Sequence, residues 1–268
     1  MPEPVQAQRL QTYLEQNRHT AFGVAHQFSA IRSYAEFAQR VPLQDYDSLQ
    51  PWVERICRGE KHVLTRAPVT RLVPTSGSSG GRKLIPFTAG LQQEFHAAIA
   101  PWLVDLMRQF PGLACGPAYW SVTPVGHREE KAAAVVPIGF DSDTAYLGGP
   151  RQRLARAVLA GPEQLRDLAD LEVFRYVTLL CLLRQRDLRL ISVWHPSFLT
   201  LLLDLLPDHW PALAADVRNG TCQFAARLTP ALRAALHLTP LPGRAAELRA
   251  VDWRQPETIW PKLQLLSC

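Results

Sequence analysis

Residues 75–83 carry the side-chain types that bind phosphate groups. Four hydroxyl residues and three glycines run into two adjacent cations, in the order Thr75, Ser76, Gly77, Ser78, Ser79, Gly80, Gly81, Arg82 and Lys83. Glycine lets successive backbone N–H groups turn towards one point, the hydroxyl groups add donors, and the cations supply countercharge. The stretch therefore predicts a loop that holds the phosphates of a nucleotide.

Short apolar segments flank this loop, with Arg-Leu-Val-Pro before it and Leu-Ile-Pro-Phe-Thr after it. Both have the length of a strand. A Walker A loop needs a second glycine where this chain has Arg82 and a hydroxyl residue where it has Leu84, and it opens a helix. The pattern therefore excludes a Walker A loop. A flexible Gly/Ser linker is the structural alternative, and the apolar flanks argue against it.

The loop and the segments before it together resemble a known enzyme family. Residues 37–47 read FAQRVPLQDYD, residues 51–56 read PWVERI, Gly59-Glu60 follow, and residues 74–88 read PTSGSSGGRKLIPFT. This ordered set is similar to the N-terminal part of the acyl-acid amido synthetases of the auxin-responsive Gretchen Hagen three family, which are adenylate-forming enzymes. The resemblance extends over all 268 residues.

The resemblance implies a ligase. Such enzymes use ATP to convert a carboxylic acid into an acyl-adenylate and then transfer the acyl group to an amine, usually an amino acid. By resemblance, residues 75–83 and Thr88 bind the nucleotide, and Lys83 or Arg82 neutralises the charge that develops on the leaving phosphates. The implied fold is α/β, the large-domain fold of adenylate-forming (firefly-luciferase-like) enzymes, here incomplete and preceded by a helical lead-in.

Several family elements have no counterpart in the sequence. There is no aromatic-x-x-[Ser/Thr]-Glu motif for adenine and magnesium, and no small C-terminal domain. We therefore expect a truncated chain whose Mg²⁺ ligands lie beyond residue 268. Three hypotheses stay open: an amide-forming ligase complete only in a longer chain, an adenylating ligase that uses a thiol such as coenzyme A, and a non-catalytic remnant.

The pattern of apolar and capping residues predicts three parts: a helical lead-in over 1–65, a first α/β subdomain over 66–150, and a second over 151–268. Helices are expected over 5–16, 33–40 and 46–59, and again from Thr88, where Leu91, Phe95, Ile99, Trp102 and Leu106 form a stripe that predicts burial in the core. Pro101 should kink or divide that helix. Later helices are expected over 163–168, 171–186, 198–206, 208–220, 229–236 and 242–248, and a strand begins after Ile259.

Two segments are candidates for the wall of an acyl pocket. Residues 118–124 predict a strand, and the resemblance places acid- or nucleotide-contacting residues near Tyr119, Ser121 and Thr123; a buried strand with no ligand role is the alternative. Residues 188–194 predict a buried strand, followed by an abrupt turn and a helix, a position where α/β proteins bind ligands. The candidates for the pocket wall at this turn are Trp194, His195, Ser197 and Phe198. A structural role is the alternative for His195.

Composition narrows the function class. The formal charge is +5 and the pI about 9.1, but basic residues are dispersed among acids and form no run, so we expect no nucleic-acid partner. The five cysteines form no C-x-x-C pair, which predicts free thiols in a reducing cytoplasm and no metal site. No apolar run reaches the length of a membrane helix, so we expect no membrane partner.

Overall fold

The computed structural model describes residues 2–75, 83–122, 135–140 and 149–268. The chain divides into two compact units, and the division falls within one long helix. The first unit contains Met1–Ala97 and Glu129–Asp141, and the second contains Ala98–Arg128 and Ser142–Cys268. The predicted subdomain bounds stay a prediction.

The first unit consists of lead-in helices and a β-hairpin. Its elements are α1 (Pro2–Asn17), α2 (Ala21–Ala25), α3 (Tyr34–Arg40), α4 (Tyr46–Cys57), β1 (Arg71–Pro74), β2 (Leu84–Phe87) and the first half of α5 (Ala89–Gln109), with a 3-10 turn at Phe28–Ala30. The predicted lead-in helices and both strands flanking the loop are confirmed. Among the elements described in this unit, α2 and the 3-10 turn were not predicted.

Strand β1 is the centre of the first unit. It pairs antiparallel with β2 along one edge, with Arg71 opposite Phe87 and Pro74 opposite Leu84. On its other edge, Leu72 donates to Pro137 O at 2.8 Å and accepts from Gly139 N at 2.7 Å. Leu72 is fully buried and packs with Ile56 of α4 and with Val63. Hydrogen bonds therefore hold β1 along both of its edges, and the packing of Leu72 holds it on one face.

The second unit contains a three-stranded parallel sheet in the order β3–β4–β5. Its strands are β3 (Ala118–Trp120), β4 (Leu190–Ser192) and β5 (Leu265–Ser267), and its helices are the second half of α5, α6 (Gly149–Val158), α7 (Leu171–Arg184), α8 (Pro196–Leu203), α9 (Leu206–Asn219), α10 (Pro230–Ala235), α11 (Pro242–Ala250) and α12 (Pro256–Ile259). Short 3-10 turns occupy Pro111–Cys115, Glu163–Asp167 and Ala225–Arg227. Because the three strands are parallel, their carboxyl ends share one edge of the sheet.

Helix α7 forms the core of the second unit. Every residue from Val173 to Leu183 except Arg175 is buried, so burial extends around the whole helix. A helix that is apolar nearly all round is a central core helix rather than an amphipathic surface helix.

Helix α5 departs from the prediction in its burial. It continues through Pro101 without division, and a kink at Pro101 stays a prediction. Within the described part of the chain it has no fully buried residue, and Leu91 and Trp102 are 39% and 36% exposed. The prediction that this apolar stripe belongs to the core was wrong, because the spacing of apolar residues identifies a face but not what covers it.

Candidate functional site

The base of the predicted phosphate loop is a closed hairpin. Thr75 N–H donates to Lys83 O at 2.9 Å, one step beyond the last pair of the β1–β2 ladder. The predicted ligands Ser76, Gly77, Ser78, Ser79, Gly80, Gly81 and Arg82 lie outside the described residues. The two ends of the loop are thus placed together, and the roles of the residues between them stay a prediction.

Tyr46 fastens this base to the first turn of α4. Its hydroxyl oxygen accepts from Leu84 N at 2.7 Å and its hydroxyl group donates weakly to Leu84 O at 3.4 Å. The start of α4 is itself fixed, because Asp45 and Ser48 form a reciprocal capping box in which Ser48 N donates to Asp45 Oδ1 at 2.8 Å and Asp45 N donates to Ser48 Oγ at 3.1 Å. Sequence reasoning did not identify Tyr46, since nothing in its spacing indicates a partner 38 residues away.

Lys83 presents a positive charge at the mouth of the loop. Its side chain is exposed and its Nζ lies 5.7 Å from the centre of the Tyr46 ring. Hydrogen bonds from Ser48 are the main cause of a lowered pKa at Asp45, and the positive charge of Lys83 adds a smaller effect. Over the described ranges, Lys83 makes no ion pair with a carboxylate. No carboxylate among the described residues therefore competes with an anionic ligand for this ammonium group.

Thr88 has a structural role at the start of α5. It is 9% exposed, and its Oγ1 accepts from Leu91 N at 3.1 Å, which confirms the predicted helix cap. A role for Thr88 in nucleotide binding stays a prediction.

Strand β3 sends neighbouring side chains to opposite faces of the sheet. Tyr119 is 6% exposed and belongs to the hydrophobic core of the second unit. Ser121 is 2% exposed, and its N–H donates to Ser192 O at 2.8 Å. Thr123 lies outside the described residues. The burial of Tyr119 and Ser121 favours the structural alternative, and a substrate role for them stays a prediction.

Trp120 belongs to a cluster of three tryptophans at the carboxyl edge of the sheet. Its ring centre lies 6.5 Å from that of Trp102 on α5 and 6.4 Å from that of Trp194 after β4, and both pairs meet edge to face. Trp194 is 64% exposed. We call these three residues the tryptophan face. Of these three tryptophans, only Trp194 was predicted from the sequence to line a pocket, because Trp102 and Trp120 become its neighbours only when the chain folds.

His195 caps helix α8. Ser197 N donates to His195 Nδ1 at 3.2 Å, and the Ser197 hydroxyl group lies 2.8 Å from the same nitrogen. Because Nδ1 accepts the backbone hydrogen bond, the neutral ring carries its proton on Nε2. This confirms the predicted turn from strand to helix and favours the structural alternative for His195. Phe198, in the first turn of α8, is 43% exposed beside it.

Two further properties bear on function. No group of three or more His, Cys, Asp or Glu side chains that could hold a metal ion occurs in residues 2–75, 83–122, 135–140 or 149–268. None of the helices described has both the length and the apolar character needed to cross a membrane.

Comparison with known proteins gives a consistent result. The sequence model of the GH3 family N-terminal domain matches residues 1–268. Among curated Arabidopsis thaliana proteins, indole-3-acetic acid-amido synthetase GH3.17 is 30% identical over 232 residues, which are 82% of this chain and 37% of the relative. Indole-3-acetic acid-amido synthetase GH3.15 is 32% identical over 196 residues, which are 69% of this chain and 31% of the relative.

A solved structure shows the same fold. The structure described as AtGH3.15 acyl acid amido synthetase in complex with 2,4-DB superimposes with a TM-score of 0.82 at 22% identity, covering 98% of this chain and 47% of that one. The predicted fold, the N-terminal part of such an enzyme, is confirmed. The chain spans less than half the length of these relatives.

Proposed function

This chain belongs to the GH3 family, and on that premise we propose that it carries the acid-activating part of an ATP-dependent acyl-acid amido synthetase. In the first step, a carboxylate oxygen attacks the α-phosphorus of ATP, the bond from that phosphorus to the β-phosphate oxygen breaks, and pyrophosphate leaves. In the second step, an amine nitrogen attacks the acyl carbon of the adenylate, AMP leaves, and the amine loses a proton. Neither step needs a nucleophilic side chain.

The base of the phosphate loop is the observation that carries this proposal. Tyr46 and the hydrogen bond from Thr75 N to Lys83 O hold the two ends of a Ser- and Gly-rich loop, and Lys83 is exposed there without an ionic partner among the described residues. A cation fixed beside such a loop stabilises the negative charge that develops on departing pyrophosphate. Lys83 is the residue to which we assign this role.

Mg²⁺ is implied by the resemblance, but the described residues contain no cluster of carboxylates to hold it. We assign phosphate contact and acid binding to this chain, and we assign no Mg²⁺ ligand among the described residues.

The tryptophan face supports an aromatic acid as substrate. Edge-to-face contacts hold its rings in place, and Trp194 leaves much of its surface open to a ligand. A flat aryl group can stack on such a surface. The relatives are named for indole-3-acetic acid, and the similar structure contains 2,4-DB. We propose that the face forms one wall of the acyl pocket.

ATP binding tests the role of Lys83. Replacing Lys83 by Met removes one charge-assisted contact, worth about 1.5–3 kcal/mol, so ATP should bind about 10- to 150-fold more weakly. Isothermal titration calorimetry measures this directly. Lys61→Met is the matched control, because Lys61 is exposed in the same unit and outside the loop, and it should leave the affinity unchanged. Equal ATP affinity in Lys83→Met and the unmodified chain would contradict the proposal.

ATP–pyrophosphate exchange across a panel of carboxylic acids tests activation. We expect aryl acids to support more exchange than aliphatic acids of equal length, and Trp194→Ala to reduce this preference. If ATP binds but no acid supports exchange, either in this chain or in one extended by the remainder of a relative's sequence, the chain is a non-catalytic remnant. Thioester formation with coenzyme A in place of an amide would assign it to the thiol-using ligases.

A further inference from the structure

Lys83 and the aromatic ring of Tyr46 form a pair in the first unit. Lys83 Nζ lies 5.7 Å from the centre of the Tyr46 ring, within the distance at which a ring face attracts a cation. Lys83 is exposed, whereas Tyr46 is half-buried. The ring therefore gives one side of a solvent-exposed ammonium group a fixed neighbour.

The backbone that carries this lysine is held as well. Lys83 O accepts from Thr75 N at 2.9 Å, and the N–H group of the next residue, Leu84, donates to Tyr46 Oη at 2.7 Å. The same tyrosine thus contacts the backbone beside Lys83 and lies beside its ammonium group. A long side chain that is restrained at its base and at its tip has less rotamer freedom left to lose when a ligand binds.

The position of Tyr46 is fixed by the helix that it opens. In the capping box of α4, Asp45 N donates to Ser48 Oγ at 3.1 Å and Ser48 N donates to Asp45 Oδ1 at 2.8 Å. Further along α4, the buried Ile56 packs with Leu72 of β1. The helix that carries the ring is therefore attached to the same hairpin that carries Lys83.

An aromatic ring holds a cation in a different way from a carboxylate. A carboxylate neutralises the ammonium charge and must be displaced before an anion can bind, whereas a ring attracts the cation through its quadrupole and leaves the charge in place. Asp45 and Lys83 both belong to the described residues and form no ion pair with each other. The ring can therefore order Lys83 while its charge stays available to a phosphate.

We propose that Tyr46 is a positioning residue for ATP binding, because its ring holds the Lys83 ammonium group in place without neutralising it. This inference rests on the proposed function, in which Lys83 contacts the phosphates of ATP. The ring lowers the conformational entropy that Lys83 loses when ATP binds. Ordering one long side chain on binding corresponds to a factor of about 2 to 12 in affinity.

Isothermal titration calorimetry with ATP tests the ring and the hydroxyl group separately. Tyr46→Leu removes the ring and should weaken ATP binding by about 2- to 12-fold, whereas Tyr46→Phe keeps the ring and should bind ATP as the unmodified chain does. In the Lys83→Met background, Tyr46→Leu should cause no further loss, because the residue that it positions is absent. Tyr34→Leu is the matched control, since Tyr34 is exposed and is the first residue of another helix in this unit, and it should leave the affinity unchanged.

Nuclear magnetic resonance relaxation measures the positioning in the absence of nucleotide. The sequence contains four lysines, so the spectrum of a chain labelled with ¹³C-lysine has few signals, and Lys83→Met assigns the signal of Lys83. The order parameter of Lys83 Cε should exceed those of Lys61 and Lys262, which are exposed. Tyr46→Leu should remove this difference, and Tyr46→Phe should keep it.

The two experiments separate a failure of this inference from a failure of the proposed function. If the unmodified chain binds no ATP, the proposed function fails, and the relaxation data then decide whether the ring orders Lys83. The positioning role is overturned if Tyr46→Leu keeps full ATP affinity, if it weakens binding equally with and without Lys83, or if Tyr46→Phe binds as weakly as Tyr46→Leu. It is also overturned if Lys83 is as mobile as Lys61 in the unmodified chain, a result that needs no variant of Tyr46 to fold.

Discussion

A buried carboxylate joins α7 to α9 in the second unit. Asp216 is 6% exposed, and its oxygens accept from Tyr176 Oη at 2.6 Å, Thr221 Oγ1 at 2.6 Å and Gln223 N at 2.8 Å. Tyr176 is fully buried, whereas Thr221 and Gln223 are exposed. Replacing Asp216 by Ala therefore affects the three donors unequally.

The expected loss follows from that difference in exposure. The Tyr176 hydroxyl group cannot reach water and becomes an unsatisfied buried donor, at about 1–3 kcal/mol. Thr221 and Gln223 can bond to water instead, so each loses only the net value of a hydrogen bond, about 0.5–1.5 kcal/mol. Asp216→Ala should therefore lower the free energy of unfolding by about 2–6 kcal/mol. Tyr176→Phe leaves Asp216 with two donors and should lower it by about 1–2 kcal/mol.

Equilibrium unfolding in urea measures both losses, and a double-mutant cycle measures their coupling. The double variant should lose less than the sum of the single losses, because removing Tyr176 Oη also removes the donor that Asp216→Ala leaves unsatisfied. Asp208→Ala is the matched control, an exposed aspartate in the first turn of the same helix, and should change stability by at most about 1 kcal/mol. A loss below 1 kcal/mol in Asp216→Ala, or strict additivity in the cycle, would refute the reasoning.

Two further predictions concern the same tyrosine and the anchor of the loop. Burial, and to a lesser extent the hydrogen bond to Asp216, raise the pKa of Tyr176 above its unfolded value near 10. The stability that the protonated Tyr176 contributes is therefore complete below about pH 10 and is lost as the pH rises further. Urea midpoints should accordingly fall less steeply above about pH 10 in Tyr176→Phe than in the unmodified chain. Tyr46→Phe keeps the ring beside Lys83 but removes the acceptor of Leu84 N; we expect faster hydrogen exchange at the Leu84 amide and a loss of about 0.5–1.5 kcal/mol in unfolding free energy, and unchanged exchange would show that water replaces the hydroxyl group without cost.

Local signals in the sequence predicted most elements of the fold. Helices start at Ser33 and Thr88 as expected, and the two side chains accept capping hydrogen bonds from Glu36 N at 3.2 Å and Leu91 N at 3.1 Å. The apolar segments on both sides of the loop form the expected strands, since a hairpin brings near neighbours in the chain together. These features depend on residues a few positions apart, and such patterns are visible in a linear sequence.

Features that join distant residues were not predicted. The sheet pairs β3 with β4 and β4 with β5, across intervals of about 70 residues in each case. Tyr46 meets Leu84, and Asp216 meets Tyr176, over 38 and 40 residues. Each side chain had several possible partners of suitable chemistry, so only the folded arrangement identifies the one it contacts.

Tyr119 and Trp120 show what the sequence could not predict about the candidate site. Adjacent residues in a strand face opposite sides of a sheet, so the sequence implied that one of them would be buried in the core and the other would not. It could not say which, because both side chains are large and aromatic. Tyr119 lies in the buried hydrophobic core of the second unit, whereas Trp120 meets Trp102 and Trp194. The side of the sheet that faces the core thus decides which of the two aromatic residues stays partly exposed.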